Sequence, residues 1–177
     1  NLFQNNNLTS SSGSCAGSRC HAFYIGGDAG STGGVVRATV RNNTLLNNSV
    51  EGGSCTGGNI TMHGQFDQLL VEGNTIVETA SASGCGGINL TAAYDSVEYM
   101  RRLVIRGNTV VGAYPSGAIN IDYSIGAIVE NNRVIDNISG NATGQGINVL
   151  QNGGAGDEQP DNVIVRNNTC YMLYGGA

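Results

Sequence analysis

Lysine and tryptophan are absent from this chain of 177 residues, which also has only two prolines and two histidines. Without lysine, eight arginines are the only permanently basic side chains, and apart from Arg101 and Arg102 they are dispersed. Phosphate binding needs clustered basic side chains, so the composition and the formal net charge of −5 exclude a nucleic-acid partner. A catalytic lysine base is excluded as well.

Long hydrophobic runs are also missing. No apolar stretch approaches the roughly 20 residues that a membrane-spanning helix needs, so we expect no membrane span. The chain nevertheless contains 40% hydrophobic residues, which is ordinary for a folded protein and enough for the core of one domain. We therefore treat residues 1–177 as a single domain.

The abundant residues are glycine, with 28 copies, and asparagine, with 22. Both are frequent in turns and tolerate a positive φ. They recur in one phrase with five near-copies, each a short apolar segment, a turn pair and a second apolar segment. The copies are VRNNTLLNN from Val40, VEGNTIVE from Val71, IRGNTVVG from Ile105, VENNRVID from Val129 and VRNNTCYM from Val165.

When the copies are aligned, Asn43, Asn74, Asn108, Asn132 and Asn168 share one position, and Asn1 fits it too. The repeats differ in length, as expected for a solenoid whose coils share strands but not loops. Residues of alternating polarity predict strands. Apolar side chains at like positions of the repeats then form three inward columns. The first contains Ala38, Val40 and their equivalents, and the second contains Phe3, Leu45, Ile76, Val110, Val134 and Cys170. The third contains Ile60, Met62 and their equivalents, from Phe23 to Val149.

Two further columns test this alignment. The outward residue before the turn reads Arg41, Glu72, Arg106, Glu130, Arg166, so coils stacked about 4.8 Å apart would bring opposite charges together at every step. Each exposed pair contributes roughly a few tenths of a kcal/mol and would define register more than stability. The next residue is always Asn or Gly, which predicts a left-handed bend at Asn42, Gly73, Gly107, Asn131 and Asn167. The asparagine after it could hydrogen-bond its counterparts above and below.

These five phrases resemble the right-handed parallel β-helix family, the pectin-lyase-like fold. The resemblance implies an all-β chain of about five coils. It does not specify a function, because that architecture carries lyases, hydrolases, epimerases, adhesins and structural solenoids. Enzymes of the family bind polysaccharide along an outer groove, and their polygalacturonase signatures are missing from this sequence.

One weak catalytic candidate remains. Asp122 follows a strand of the third column, and the nearby segment YDSVEYMRR adds Tyr94, Asp95, Glu98 and Arg101. A carboxylate, a tyrosine and an arginine beside a groove could bind or cleave a sugar polymer. His21 and His63 belong to different coils, so we expect no His-centred triad and interpret His63 as a surface residue. No metal site is predicted, since Asp157 and Glu158 alone would bind calcium poorly.

The cysteines allow several arrangements. Cys15 and Cys20 could bridge within a loop, whereas Cys20, Cys55 and Cys85 occupy comparable places and could link neighbouring repeats. All four could instead be reduced and buried. Cys170 takes a position in an inward column, so we expect a free, buried thiol.

N-glycosylation sequons are the strongest functional signal. Eight occur where chance gives about three, at Asn7, Asn42, Asn47, Asn59, Asn89, Asn137, Asn141 and Asn167. They predict a glycosylated, extracellular or cell-surface protein if the host has a secretory pathway, and only turn chemistry if it does not.

The leading hypothesis from sequence is therefore a non-catalytic, extracellular β-solenoid with a structural role, such as a fibre subunit or an adhesin stalk. Open solenoid ends expose strand edges, so we expect the chain to stack end to end or to adjoin neighbouring β-helix segments. The alternative is a polysaccharide lyase, epimerase or hydrolase, or a carbohydrate-binding module. No cofactor is expected in either case.

Overall fold

The chain is all-β in the computed structural model, which describes residues 1–4, 21–26, 36–48, 58–79, 86–90, 98–112, 117–137, 146–150 and 159–173. Within these ranges no helix is long and apolar enough to cross a membrane. The strands are β1 (Leu2–Gln4), β2 (Phe23–Gly26), β3 (Val36–Arg41), β4 (Thr44–Leu46), β5 (Gly58–His63), β6 (Gln65–Glu72), β7 (Thr75–Val77), β8 (Gly86–Leu90), β9 (Tyr99–Arg101), β10 (Val104–Arg106), β11 (Thr109–Val111), β12 (Ile119–Asp122), β13 (Ser124–Ile125), β14 (Ile128–Glu130), β15 (Arg133–Asp136), β16 (Ile147–Leu150), β17 (Ile164–Arg166) and β18 (Thr169–Met172).

The strands form three parallel sheets that the chain visits in a fixed order. Sheet 1 contains β1, β4, β7, β11, β15 and β18, and sheet 2 contains β2, β5, β8, β12 and β16. Sheet 3 contains β3, β6, β9, β10, β13, β14 and β17. The chain passes through the three sheets five times, and one such passage is called a coil below. This order is consistent with the predicted solenoid, and the five strands of sheet 2 agree with the expected number of coils.

The three inward columns form the core. Like positions pair across the coils, for example Leu45 with Ile76 and Val110 with Val134. Most column residues in the middle coils are fully buried, and Phe3, Phe23, Ile25, Ala38, Ile147 and Val163 are partly buried against them. The expected inward positions are therefore confirmed for the middle coils.

The outermost strands differ from that expectation in their burial. Cys170 pairs with Val134 in its column, and its Sγ lies so close to Gly146 that a side chain on that glycine would collide with it. The thiol is free, as expected, but it is exposed rather than buried. Val165 is likewise 47% exposed. Among the described residues no strand lies beyond β17 or β18, so a core position there has a neighbour on one side only.

The bend after sheet 3 has the predicted left-handed conformation in every coil. Its φ values are 54° at Asn42, 64° at Gly73, 64° at Gly107, 55° at Asn131 and 54° at Asn167. Only Gly and, less readily, Asn adopt this conformation without a large steric penalty, which explains why no other residue occurs here.

The asparagine that follows each bend forms the expected ladder. Asn108 is typical, since its Nδ2 donates to Asn132 Oδ1 at 3.0 Å and to the Val71 carbonyl at 3.0 Å. Its own Oδ1 accepts from the backbone N of Asn74 at 2.9 Å and from Asn74 Nδ2 at 3.0 Å. Equivalent side-chain bonds join Asn1 to Asn43, Asn43 to Asn74 and Asn132 to Asn168. Because the inner rungs are buried, the ladder satisfies polar groups that would otherwise destabilise the bend.

The alternating charges also meet as the alignment predicts. Arg106 lies 2.7 Å from Glu72, and Arg166 lies 2.7 Å from Glu130. The strand register places Arg41 next to Glu72 and Glu130 next to Arg106.

Sheet 3 contains a second line of bends that the sequence alignment does not reveal. Gln68, Arg102 and Asn162 have φ values of 65°, 53° and 52°, and Gly126 has 67°. The bend divides β6 into a first half paired with β9 and a second half paired with β10. Arg102 forms an ion pair with Asp67 at this bend, and its guanidinium lowers the pKa of that carboxyl.

Replacing a buried rung of the asparagine ladder should destabilise the fold. Asn108→Ala leaves the backbone N of Asn74 without its acceptor and removes one of the two acceptors of Asn74 Nδ2, which we expect to lower the free energy of unfolding by about 2–4 kcal/mol. Urea denaturation measures the change. The control is Asn131→Gly, in the adjacent exposed bend, which should change stability by less than about 0.5 kcal/mol. Equal effects of the two substitutions would contradict the ladder's role.

Candidate functional site

Several buried polar side chains lie at the corner between sheets 2 and 3. We use the name acid–base corner for His63, Glu98, Asp122, Tyr123 and Ser124, which lie where β5, β12 and the chain before β9 turn towards sheet 3. Glu98, Asp122, Tyr123 and Ser124 are each at most 2% exposed. Ionisable groups are rarely buried so completely unless they are paired or have a function.

Three side chains, one from each of three successive coils, form a row at this corner. Tyr24, on β2, has its phenol oxygen in hydrogen-bonding contact with His63 Nε2, at the end of β5. On the other side of the ring, His63 Nδ1 lies 3.6 Å from Glu98 Oε1, within ion-pair range but beyond ordinary hydrogen-bond length. Exposure to solvent falls along this row, from 51% for Tyr24 to 15% for the side chain of His63 and 1% for that of Glu98.

This arrangement differs from the surface position that the sequence predicted for His63. The side chain of His63 is only 15% exposed, and it lies between Tyr24 and Glu98. The three residues come from different coils, which is why their separation in sequence argued against a contact. A signal was nevertheless present, because the register of sheet 2 pairs Gly26 with His63 and so places Tyr24 two positions before it in the neighbouring coil.

The second histidine supports Tyr24. The ring of His21 stacks on the ring of Tyr24 with a centroid distance of 5.2 Å and an angle of 29°. Its Nδ1 lies 2.8 Å from the Gly58 carbonyl, which fixes that nitrogen as a donor. Burial lowers the pKa of His21. The imidazole is therefore neutral at pH 7 and presents a flat aromatic face to the tyrosine.

Asp122 lies in the coil beyond Glu98, at the end of β12. It is 2% exposed, and within the described parts of the chain its Oδ1 has no hydrogen-bond partner. Burial raises the pKa of Asp122 to about 7. A carboxyl group with this property can donate or accept a proton near neutral pH, unlike an ordinary surface aspartate.

Tyr123, directly after Asp122, has an unusual backbone. Its φ is 50°, a left-handed conformation that bulky residues adopt at an energetic cost, yet it is only 1% exposed. The residue at the same corner of the second coil is Gly64, with a φ of 112°. Strained residues of this kind concentrate at functional sites, where surrounding packing maintains them.

The other residues of the predicted catalytic segment are only partly described. Glu98 lies at the acid–base corner, in the coil before that of Asp122. Arg101 is exposed, and its guanidinium lies 4.2 Å from the centre of the Tyr99 ring. Tyr94 and Asp95 lie outside the described residues, as do Asp157 and Glu158. No group of three or more His, Cys, Asp or Glu side chains that could hold a metal occurs in the described part of the chain.

The predicted sequons differ greatly in exposure. Asn42, Asn137 and Asn167 are exposed, and Asn47 is half-buried. Asn59 is fully buried and its Nδ2 donates to Glu78 Oε1 at 2.7 Å. Asn89 is 7% exposed and accepts a hydrogen bond from Asn120, in a short second amide ladder that continues to Asn148. A sugar on Asn59 or Asn89 is incompatible with this fold, because it would need the space that the core and ladder occupy.

Two sequons and all four predicted disulfide cysteines fall outside the described residues. They are Asn7, Asn141, Cys15, Cys20, Cys55 and Cys85. Their predicted roles stay predictions.

An open groove of 470 Å³ lies at the opposite end of sheet 3, beside the charge ladder. It is lined by Asn42, Glu72, Gly73, Arg106, Gly107 and Asn131. Its one charged pair is the ion pair between Glu72 and Arg106, so it offers less acid–base chemistry than the corner does.

Comparisons with protein-family models, curated proteins and solved structures gave no match. The chemistry of the corner is therefore the best guide to function.

The raised pKa of Asp122 should make stability depend on pH. Between pH 4 and 7 the unfolded chain has lost this proton while the folded chain retains it, so stability should fall as pH rises, by at most about 1.4 kcal/mol per pH unit. Asp122→Asn removes this contribution. Its stability relative to the wild type should increase from pH 4 to pH 8, as measured by urea denaturation.

The matched control for this measurement is Asp161→Asn, at an exposed aspartate. Its stability relative to the wild type should show no comparable trend. Parallel pH profiles for the wild type and Asp122→Asn would show that the carboxyl is not perturbed.

Proposed function

We propose that this chain is a right-handed parallel β-helix of the pectin-lyase-like type and that it acts on a polysaccharide by acid–base chemistry. The observation that carries the proposal is the acid–base corner, where Glu98 and Asp122 are buried beside a histidine that contacts an exposed tyrosine. This choice reverses the order of the two hypotheses that the sequence favours.

A purely structural solenoid would not need such a corner. The apolar columns and the Asn ladder already account for stacking, and neither includes Glu98 or Asp122. Burial of Asp122 Oδ1, which has no hydrogen-bond partner among the described residues, costs free energy, and so does the left-handed backbone of Tyr123. Local features that weaken a fold are most often retained because they serve a function.

A linear polymer suits the layout of the site. Tyr24, His63, Glu98 and Asp122 come from four successive coils, so they are spread along the solenoid axis in steps of about 4.8 Å. The exposed ring of Tyr24, supported by His21, offers an apolar face against which a sugar ring can pack.

The enzymatic proposal is tested by incubating the purified chain with a panel of acidic and neutral polysaccharides and analysing the products by mass spectrometry. We expect release of oligosaccharides from at least one polymer. Asp122→Ala should lower that release, because the corner loses a buried carboxyl whose pKa burial raises to about 7. Asp161→Ala, at an exposed site, should retain full activity. Absence of products from every polymer would refute the proposal.

A second candidate is the extracellular structural solenoid, and one observation favours it. The outermost strands β17 and β18 expose apolar side chains, with Ile164 46%, Val165 47% and Tyr171 59% exposed. Such a surface suits stacking against a neighbouring β-helix segment or another copy of the chain. An extracellular location is supported by the sequons at exposed Asn42, Asn137 and Asn167.

The different exposure of the sequon asparagines leads to a site-specific prediction for glycosylation. When the chain is secreted from a eukaryotic host, peptide mass spectrometry should find glycans on Asn42, Asn137 and Asn167, since their side chains are exposed. Asn59 and Asn89 should be unmodified in the folded protein because they are buried. Glycan on Asn59 in a folded sample would contradict this assignment, and fibres in electron micrographs would favour the structural candidate.

A further inference from the structure

We infer that Tyr24 is the catalytic acid–base group of the site and that His63 and Glu98 form the relay that carries its proton. This inference rests on the proposed polysaccharide chemistry. It assigns a role to two residues, Tyr24 and His63, that the sequence did not mark as catalytic.

Accessibility identifies Tyr24 as the member that meets the substrate. Tyr24 is 51% exposed, whereas the side chains of His63 and Glu98 are 15% and 1% exposed. Asp122 is buried as deeply as Glu98. A sugar polymer lying on the outer surface can therefore reach the phenol oxygen of Tyr24 but not the carboxyl oxygens of Glu98 and Asp122.

The contacts define a path for one proton. We assign the phenol O–H of Tyr24 as the donor to His63 Nε2. A neutral His63 then has its proton on Nδ1, the nitrogen that faces Glu98. When the Tyr24 proton moves to Nε2, a phenolate and an imidazolium form together. The carboxylate of Glu98 stabilises that imidazolium, as the third group does in other relays of this kind.

The phenolate then takes a proton from the bound sugar, either from a hydroxyl or from a carbon next to a carbonyl. One O–H bond forms on Tyr24, and one bond to hydrogen breaks in the substrate. The proton held on His63 Nε2 is available for the departing sugar oxygen or for solvent, which returns the imidazole to its neutral form. No oxidant, reductant or metal takes part in these steps.

The groups around His63 are suited to this cycle. Tyr24 contacts it from β2, His21 stacks on Tyr24 from just before β2, and Glu98 faces it from the next coil. Because burial lowers the pKa of His21, that ring is neutral and does not repel an imidazolium on His63. Its stacking on Tyr24 also limits the movement of the phenol ring.

The first test is the substitution Tyr24→Phe, which removes only the phenol oxygen. With a polysaccharide that the wild type degrades, kcat should fall at least about 100-fold while KM and the urea midpoint change little. The matched control is Tyr171→Phe, at a tyrosine that is 59% exposed on β18, and its kcat should be unchanged. Full activity of Tyr24→Phe would overturn the inference and leave the proposed function standing.

The second test separates the relay from a structural role. In Glu98→Gln the imidazolium loses the carboxylate that stabilises it, so the acidic limb of the pH–kcat profile should move to lower pH. A residue that only supports the fold would lower kcat without moving that limb. If the acidic limb of the pH–kcat profile of Glu98→Gln coincides with that of the wild type, the relay is contradicted.

A third measurement needs no substrate. The imidazole resonances of His63, followed by NMR from pH 5 to 9, should titrate with a different midpoint in Tyr24→Phe and in Glu98→Gln than in the wild type. An unchanged titration in both variants would show that the relay is absent. If the wild type degrades no polysaccharide, the proposed function fails and the catalytic role of Tyr24 fails with it, whatever the titration shows.

Discussion

In this fold each side chain meets its counterpart from the neighbouring coil at a spacing of about 4.8 Å. Every position must therefore be compatible with the same position above and below it. Apolar residues satisfy this requirement by packing, as Leu45, Ile76 and Val110 do. Asparagine satisfies it by donating to one neighbour and accepting from the other, and arginine satisfies it by alternating with glutamate. The phrase that recurs in the sequence results from this one constraint.

The acid–base corner departs from that pattern. Its positions hold different residues in successive coils, with His63 in one, Glu98 in the next and Asp122 in the one after. Unlike residues stacked in this way form a gradient of exposure and charge instead of a uniform ladder. Burial raises the pKa of Asp122 to about 7, while the more exposed Tyr24 stays accessible to a ligand. A repetitive scaffold thus supports one non-repetitive site.

Much of the fold could be predicted from sequence, because the interactions that define it are short-range and periodic. The bends at Asn42 and Gly107 follow from residue type alone, since few residues adopt a positive φ. The asparagine ladder follows from aligning one turn with the next. The bends at Gln68 and Arg102 were not predicted, because neither residue type marks a left-handed conformation. The prediction that Cys170 is buried was also wrong. A place in an inward column predicts which way a side chain points, but not whether another coil covers it.

The sequence by itself determined the register of the coils, the direction of the core side chains and the residues of the main bends, because all of these repeat within each coil. Only the tertiary structure decided which distant side chains meet at the acid–base corner and which sequon asparagines are buried. Tyr24, His63 and Glu98 come from coils of unequal length, so their spacing in the sequence does not show that they meet. Likewise, Asn42 and Asn59 carry the same sequon pattern, and only packing distinguishes an exposed turn from the interior.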